Sequence, residues 1–302
     1  MTVPRWVIPG RTYMITRRCT QRQFLLTPSP AVNQVFLYCL VFAAVTYKVQ
    51  VHALVVMSNH YHLIVTDPHG NLPEFCHWLN LFVAKALNVK YRRGENFWSS
   101  TPYSAVHLPD AAAVLDKLLY TLTNPITAGL VPQLSEWPGL VIGPKQIGQK
   151  LEAKRPEFFF RPEGELPPSL RLRITIPPAF RHMGVEGFEE LVRRRLKDRS
   201  REIREQRAAQ GRAYLGREAI LAQANVPYAA PGRARADRGI TPRVASKDKW
   251  RRIETLQSLV AFRVAYAEAI TRWRYGERSV VFPCGTYWMR VRYKVRCVPA
   301  PG

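Results

Sequence analysis

Two histidines one residue apart, His60 and His62, sit in the run Val55-Val-Met-Ser-Asn-His-Tyr-His-Leu-Ile-Val65. Successive side chains on a strand point to opposite faces, so the two imidazoles leave one face together while Tyr61 takes the other. That geometry offers two nitrogen donors to one divalent metal. The spacing alone is common, and it gains meaning only with a third ligand and a nucleophile. Tyr120 and Asn124 supply both on a single predicted helix, where a separation of four puts them on one face, one turn apart. The Asn124 amide oxygen would complete a mixed nitrogen and oxygen set, which suits Mg2+ or Mn2+ better than structural zinc. Tyr120 is then the candidate nucleophile, a phenol able to form a covalent intermediate when a metal activates its target.

The elements that must position these groups follow from hydrophobic pattern and breakers. Tyr13 to Thr16 reads as a short strand. Pro30 to Thr46 reads as a buried helix, with Ser29 as N-cap and proline in its first turn, and its apolar run is too short for a bilayer span. Val51 to Met57 and Tyr61 to Thr66 read as strands joined at Ser58-Asn59. Leu72 to Lys90 has the apolar spacing of a helix with one buried face. Ala111 to Thr123 is a second helix, opened by Asp110 and stopped before Pro125. Strands interleaved with helices in this order favour an α+β domain, an antiparallel sheet with helices on one face.

The stretch Met57-Ser-Asn-His-Tyr-His-Leu-Ile-Val65 resembles the HUH motif of single-tyrosine transposases, two histidines flanking a bulky residue. Tyr120-Thr-Leu-Thr-Asn-Pro-Ile-Thr-Ala-Gly-Leu-Val131 resembles the tyrosine helix and Asn-Pro segment of their REP-associated tyrosine transposase branch. The resemblance spans residues 1–145, and implies a ferredoxin-like HUH domain there. It implies a metal held by His60, His62 and Asn124, and attack by Tyr120 on single-stranded DNA. Its further implications are a 5′-phosphotyrosine intermediate, strand transfer without ATP, and hairpin substrates of the REP-like palindrome type. Two departures stand out. Tyr61 replaces the usual aliphatic, and Thr121-Leu-Thr123 replaces the turn that commonly carries His or Asn, leaving the ligand imidazoles without an evident partner.

Charge agrees with such a substrate. The chain carries a net +23, with 13 basic and 6 acidic side chains in residues 1–150 and 32 and 16 in residues 151–302. A field of that sign favours nucleic acid. Five cysteines without a Cys-x-x-Cys pair argue against a disulfide framework or a zinc finger, and the N-terminus lacks a secretory h-region, so the expected setting is the cytoplasm of a bacterium, near the nucleoid, with no membrane partner. His69 and His77 read as surface residues and His52 as a packed one. Residues 146–302 read as a basic, mainly helical region for substrate recognition. It comprises an arginine-dense helix at Glu186 to Gln210, a Pro/Gly/Arg linker at Pro227 to Ala245, a long helix at Lys249 to Tyr275, and a strand pair within Ser279 to Arg296. Two function classes follow: a metal-dependent DNA transposase, monomeric or homodimeric, or a domesticated nucleic-acid-binding protein that no longer cuts. A metal-hydrolase reading would need carboxylates, of which Asp67 and Asp116 are the nearest along the chain.

Overall fold

A computed structural model of the chain describes residues 4–223 and 243–299. Its centre is a five-stranded sheet in the order β4-β1-β3-β2-β5, every neighbouring pair antiparallel. The strands are β1 (Arg11–Arg18), β2 (Gln50–Met57), β3 (His60–Asp67), β4 (Ser104–His107) and β5 (Val141–Ile142). Helices α1 (Pro30–Tyr47) and α2 (Leu72–Tyr91) fall between them, so β1-α1-β2-β3-α2-β4 is a ferredoxin-like unit.

Both of its helices lie on one face, as the sequence pattern implies. Tyr13, Ile15, Leu54, Tyr61, Leu63 and Val65 meet α1 and α2 there in the larger core. Helix α1 has a membrane-like length and apolarity, but residues such as Val35, Phe36 and Leu40 are buried in this core. The opposite face departs from the expectation. It is covered too, by α3 (Ala111–Thr127) and α4 (Gly184–Ala209), against Ala53, Val55, Met57 and Ile64. The reason is visible in β2, where Val51 and the run Ala53 to Met57 are apolar on both faces, and in both β2 and β3 every position after the first is buried.

Packing does not break at residue 145. The hairpin β6 (Lys150–Lys154) and β7 (Ser169–Arg173) adds Ala153 to the first core, with Phe160 and Ile174 beside it. Phe188 and Val192 of α4, and Ile220 of α5 (Arg217–Ala222), join the second. Helix α3 also runs through Pro125 to Thr127, past its predicted stop. Proline there lies in the last turn, so its missing N–H forfeits one bond while Pro125 and Ile126 stay buried.

The C-terminal part differs most. Helix α6 (Lys249–Arg274) is where expected, but the predicted strand pair is a short helix α7 (Trp288–Tyr293) flanked by isolated bridges such as Phe282 to Cys297. Aromatic and β-branched residues there suggested strands, yet no sheet edge lies alongside. Phe282 and Met289 instead bury against Ala269 and Ile270 of α6. Most of the expected linker at 227–245 lies outside the described residues; its end is described, and Val244 forms a parallel bridge to His107.

Candidate active site

The β1–β3 register sets Thr16 opposite His62 and Arg18 opposite His60, and directly opposed residues share a face. Thr16 Oγ1 lies 2.8 Å from His62 Nδ1. On the far side of the ring, Asn124 Nδ2 of α3 is 3.2 Å from Nε2. An amide nitrogen donates, so Nε2 presents its lone pair and Nδ1 carries the hydrogen given to Thr16.

His60 has the same tautomer for a related reason. Asn59, in the β2–β3 turn, donates its Nδ2 to the Arg22 carbonyl at 3.1 Å, which turns its Oδ1 toward His60 Nδ1 at 2.7 Å. A carbonyl oxygen only accepts, so Nδ1 holds the hydrogen and Nε2 is free to ligate. The two rings stand edge to face with centroids 4.8 Å apart.

Burial lowers the pKa of His60 to about 4, helped by Arg18 and opposed by a hydrogen bond to the Asn124 side chain, which favours the protonated ring. Burial lowers His62 to about 3, with His60 and Arg18 adding to it. Both imidazoles are therefore neutral at pH 7, and a cation need not displace a proton from either.

Tyr120 stands beside them. Its ring meets the His62 ring edge to face at 5.2 Å, and the side chain is 44% exposed to solvent. Lys117, one turn earlier, holds its ammonium 5.6 Å from the Tyr120 ring centroid. Asp110 caps α3, its Oδ1 accepting from Ala113 N at 2.7 Å, and α4 clamps the same helix through Phe188 and Val192.

The structure thus brings together all four residues singled out by the sequence: His60, His62, Tyr120 and Asn124. His62 Nε2 meets the Asn124 amide at 3.2 Å, His60 also interacts with that side chain, and half a turn of the amide would turn Oδ1 toward His62. The donor set fits a divalent cation that accepts nitrogen and oxygen ligands.

Other candidates lie elsewhere. Asp67 is fully buried and spends its carboxylate on the backbone N–H groups of His69, Gly70, Asn71 and Leu72. Asp116 pairs with Lys117 at 3.0 Å and Lys247 at 3.7 Å. Among the described residues no group of three His, Cys, Asp or Glu side chains could hold a metal. His69 and His77 are exposed. His52 is buried between the Thr175 carbonyl and Thr66 Oγ1, each at 2.8 Å.

Thr16, Asn59, Arg18 and Lys117 escaped the sequence reading. The hydroxyls of Thr121 and Thr123 bond back to Lys117 O and Leu119 O within their own helix, so the imidazoles are oriented from β1 and the hairpin turn instead. Of these, only Asn59, adjacent to His60, left a signal in the chain; Thr16 depends on register.

No protein-family model matches this chain, and no curated protein does. Among solved structures it is similar to a REP-associated tyrosine transposase bound to a REP hairpin, with a TM-score of 0.39 and 19% identity, covering 46% of this chain and 81% of that one. It is also similar to a protein from Deinococcus radiodurans R1 described as a transposase, with a TM-score of 0.28 and 20% identity, covering 35% of this chain and 85% of that one. Likeness at this level leaves function to the residues themselves.

Proposed function

We propose that this chain is a metal-dependent single-stranded DNA endonuclease and strand-transferase, a transposase that cuts and rejoins hairpin-containing DNA through Tyr120. The observation behind this reading is the convergence of two neutral imidazoles, an amide and an exposed phenol on one side of the sheet, with His62 Nε2 3.2 Å from Asn124 and the Tyr120 ring 5.2 Å from the His62 ring.

His60, His62 and Asn124 would hold Mg2+ or Mn2+, which when bound supplies a Lewis acid for a phosphate oxygen. Tyr120 attacks the phosphorus. Its oxygen forms the new P–O bond, the bond to the 3′-oxygen breaks, the phenol proton passes to solvent on its exposed side, and the 3′-oxygen takes a proton from solvent and leaves as a hydroxyl. The product is a 5′-phosphotyrosine, which keeps the energy of the broken ester and lets a 3′-hydroxyl reverse the step. Thr16 and Asn59 hold the ligand nitrogens in place. The net charge of +23 and the REP hairpin bound by the similar transposase make hairpin DNA the substrate to test first.

Incubation of the chain with labelled single-stranded hairpin DNA and manganese is expected to give a covalent band that survives denaturation, and Tyr120→Phe to abolish it. Binding without an adduct across varied hairpins would favour the non-catalytic DNA-binding reading. Cleavage without an adduct would point to a hydrolase.

A further inference from the structure

A cavity of about 390 Å³ opens at the end of β1 away from Thr16. It is removed from the histidines in two ways. Arg11 lies five residues from Thr16, about 17 Å along a strand. Tyr13 packs on the α1/α2 face, whereas His62 faces α3.

The lining is unusual for its charge. Arg5, Arg11, Arg243 and Arg263 all border the space, and none of its described lining residues carries a carboxylate. The acids whose fields reach Tyr13 and His107 are Asp67 and Asp110, and both are already engaged, the first with four backbone N–H groups and the second with the α3 cap and Ser246 Oγ at 2.6 Å.

Two of the arginines lie on aromatic rings. The Arg11 guanidinium sits 3.8 Å above the Trp6 ring, which stacks on Phe262, and Arg5 sits 5.2 Å from the Tyr103 ring while donating to its hydroxyl at 3.0 Å. Such pre-positioned planar cations serve two uses: bidentate binding of phosphate, and stacking under a base. Two polar atoms bordering the same space have no partner, His107 Nδ1 and Arg263 Nε, and the hydroxyl of the buried Tyr13 lies beside the Arg11 guanidinium. A buried polar atom without a partner is costly, and a ligand that supplies one is the simplest remedy.

We infer that this cavity is a nucleotide site, taking a phosphate on its arginines and a planar base among its aromatic and guanidinium surfaces. Four arginines with no carboxylate among the described lining residues suit the double charge of a phosphate monoester better than the single charge of a carboxylate, and the volume lies within the range of small-ligand pockets. The ligand can be a free deoxynucleoside monophosphate or an unpaired nucleotide of a bound strand; the chemistry is shared. The inference stands apart from the cleavage reading, since none of the cavity's residues belongs to that site.

The experiment uses the full chain, with Tyr13→Phe and Arg263→Gln, and two probes: deoxynucleoside monophosphates by calorimetry, and hairpin DNA with or without a single-stranded flank. Tyr13→Phe removes only a hydroxyl and keeps the packed ring, so the free protein should keep its fold by circular dichroism while nucleotide affinity falls. A tenfold or greater loss in both variants with free nucleotides assigns the site to a mononucleotide. The same loss seen only with flanked hairpins assigns it to the strand. Unchanged binding of both probes overturns the inference, as does binding of inorganic phosphate as tight as that of the nucleotides. Tyr120→Phe, run in parallel, should bind like the unmodified chain and form no adduct, so failure of the cleavage reading would show separately.

Discussion

At the scale of single residues, the arrangement depends on which ring nitrogen carries hydrogen. Thr16→Val removes the acceptor that holds His62 Nδ1–H while keeping the β-branched shape. Metal affinity, read by manganese titration, should fall about 10- to 100-fold, with the fold intact by circular dichroism. His52 makes a different kind of prediction. Burial lowers its pKa to about 4 from the ordinary 6.5, so the unfolded chain takes up its proton first as pH falls. The stability that His52 contributes is therefore complete above pH 6.5 and is lost between 6.5 and about 4, amounting to about 3 kcal/mol in all. Urea midpoints measured from pH 7 to 4 should decline, and His52→Gln should flatten that decline by up to one proton's slope, about 1.4 kcal/mol per pH unit. The four residues of the candidate site were legible because each belongs to a short local pattern, His-x-His on a strand and Tyr-x-x-x-Asn on a helix. Thr16 was not, since its role exists only once β1 and β3 are aligned.

At the scale of elements, α3 has the most demanding task, because it must present Tyr120 and Asn124 to a strand it does not follow in sequence. Its N-cap does two jobs. Asp110 Oδ1 accepts from Ala113 N, and Oδ2 accepts from the Ser246 hydroxyl, tying the helix start to the chain that enters α6. Asp110→Ala should cost about 1–2 kcal/mol in chemical denaturation, and Asp110→Asn should recover most of it. Adduct yield should fall in step with stability rather than vanish. Element positions up to residue 127 were readable to within a few residues, since Ser29, Asp110 and the apolar periods are local signals. Pro125 misled because a proline forbids less in a last turn than in mid-helix. Tyr287 to Tyr293 misled because strand-forming side chains are not strands without a neighbouring edge. Trp250 of α6 and Trp288 of α7 are 76% and 56% exposed.

At the scale of the whole molecule, charge is the dominant property, and its pairing separates field from contact. Along α4, Arg193, Arg199 and Arg201 pair with carboxylates, Arg204 reaches the Pro132 carbonyl, and Arg207 reaches the Ala213 carbonyl and lies over Tyr214. Arg194 and Arg195 are exposed and take part in none of the ion pairs among the described residues. They are the α4 arginines to test against phosphate: replacing both by Gln should shallow the slope of log affinity against log salt by about 1.4–1.8, whereas Arg193→Gln should change it little. The basic excess of residues 151–302 was countable from the chain, but which arginines were already spent was not. The sheet itself has one more consequence. Its outer strand β4 is bridged by Val244, with Ala245 N donating to the His107 carbonyl and His107 N to the Arg243 carbonyl, and its other outer strand, β5, is two residues long. Neither border of this five-stranded sheet offers a long run of unpaired backbone groups among the described residues, so extension of the central sheet by a further strand is disfavoured.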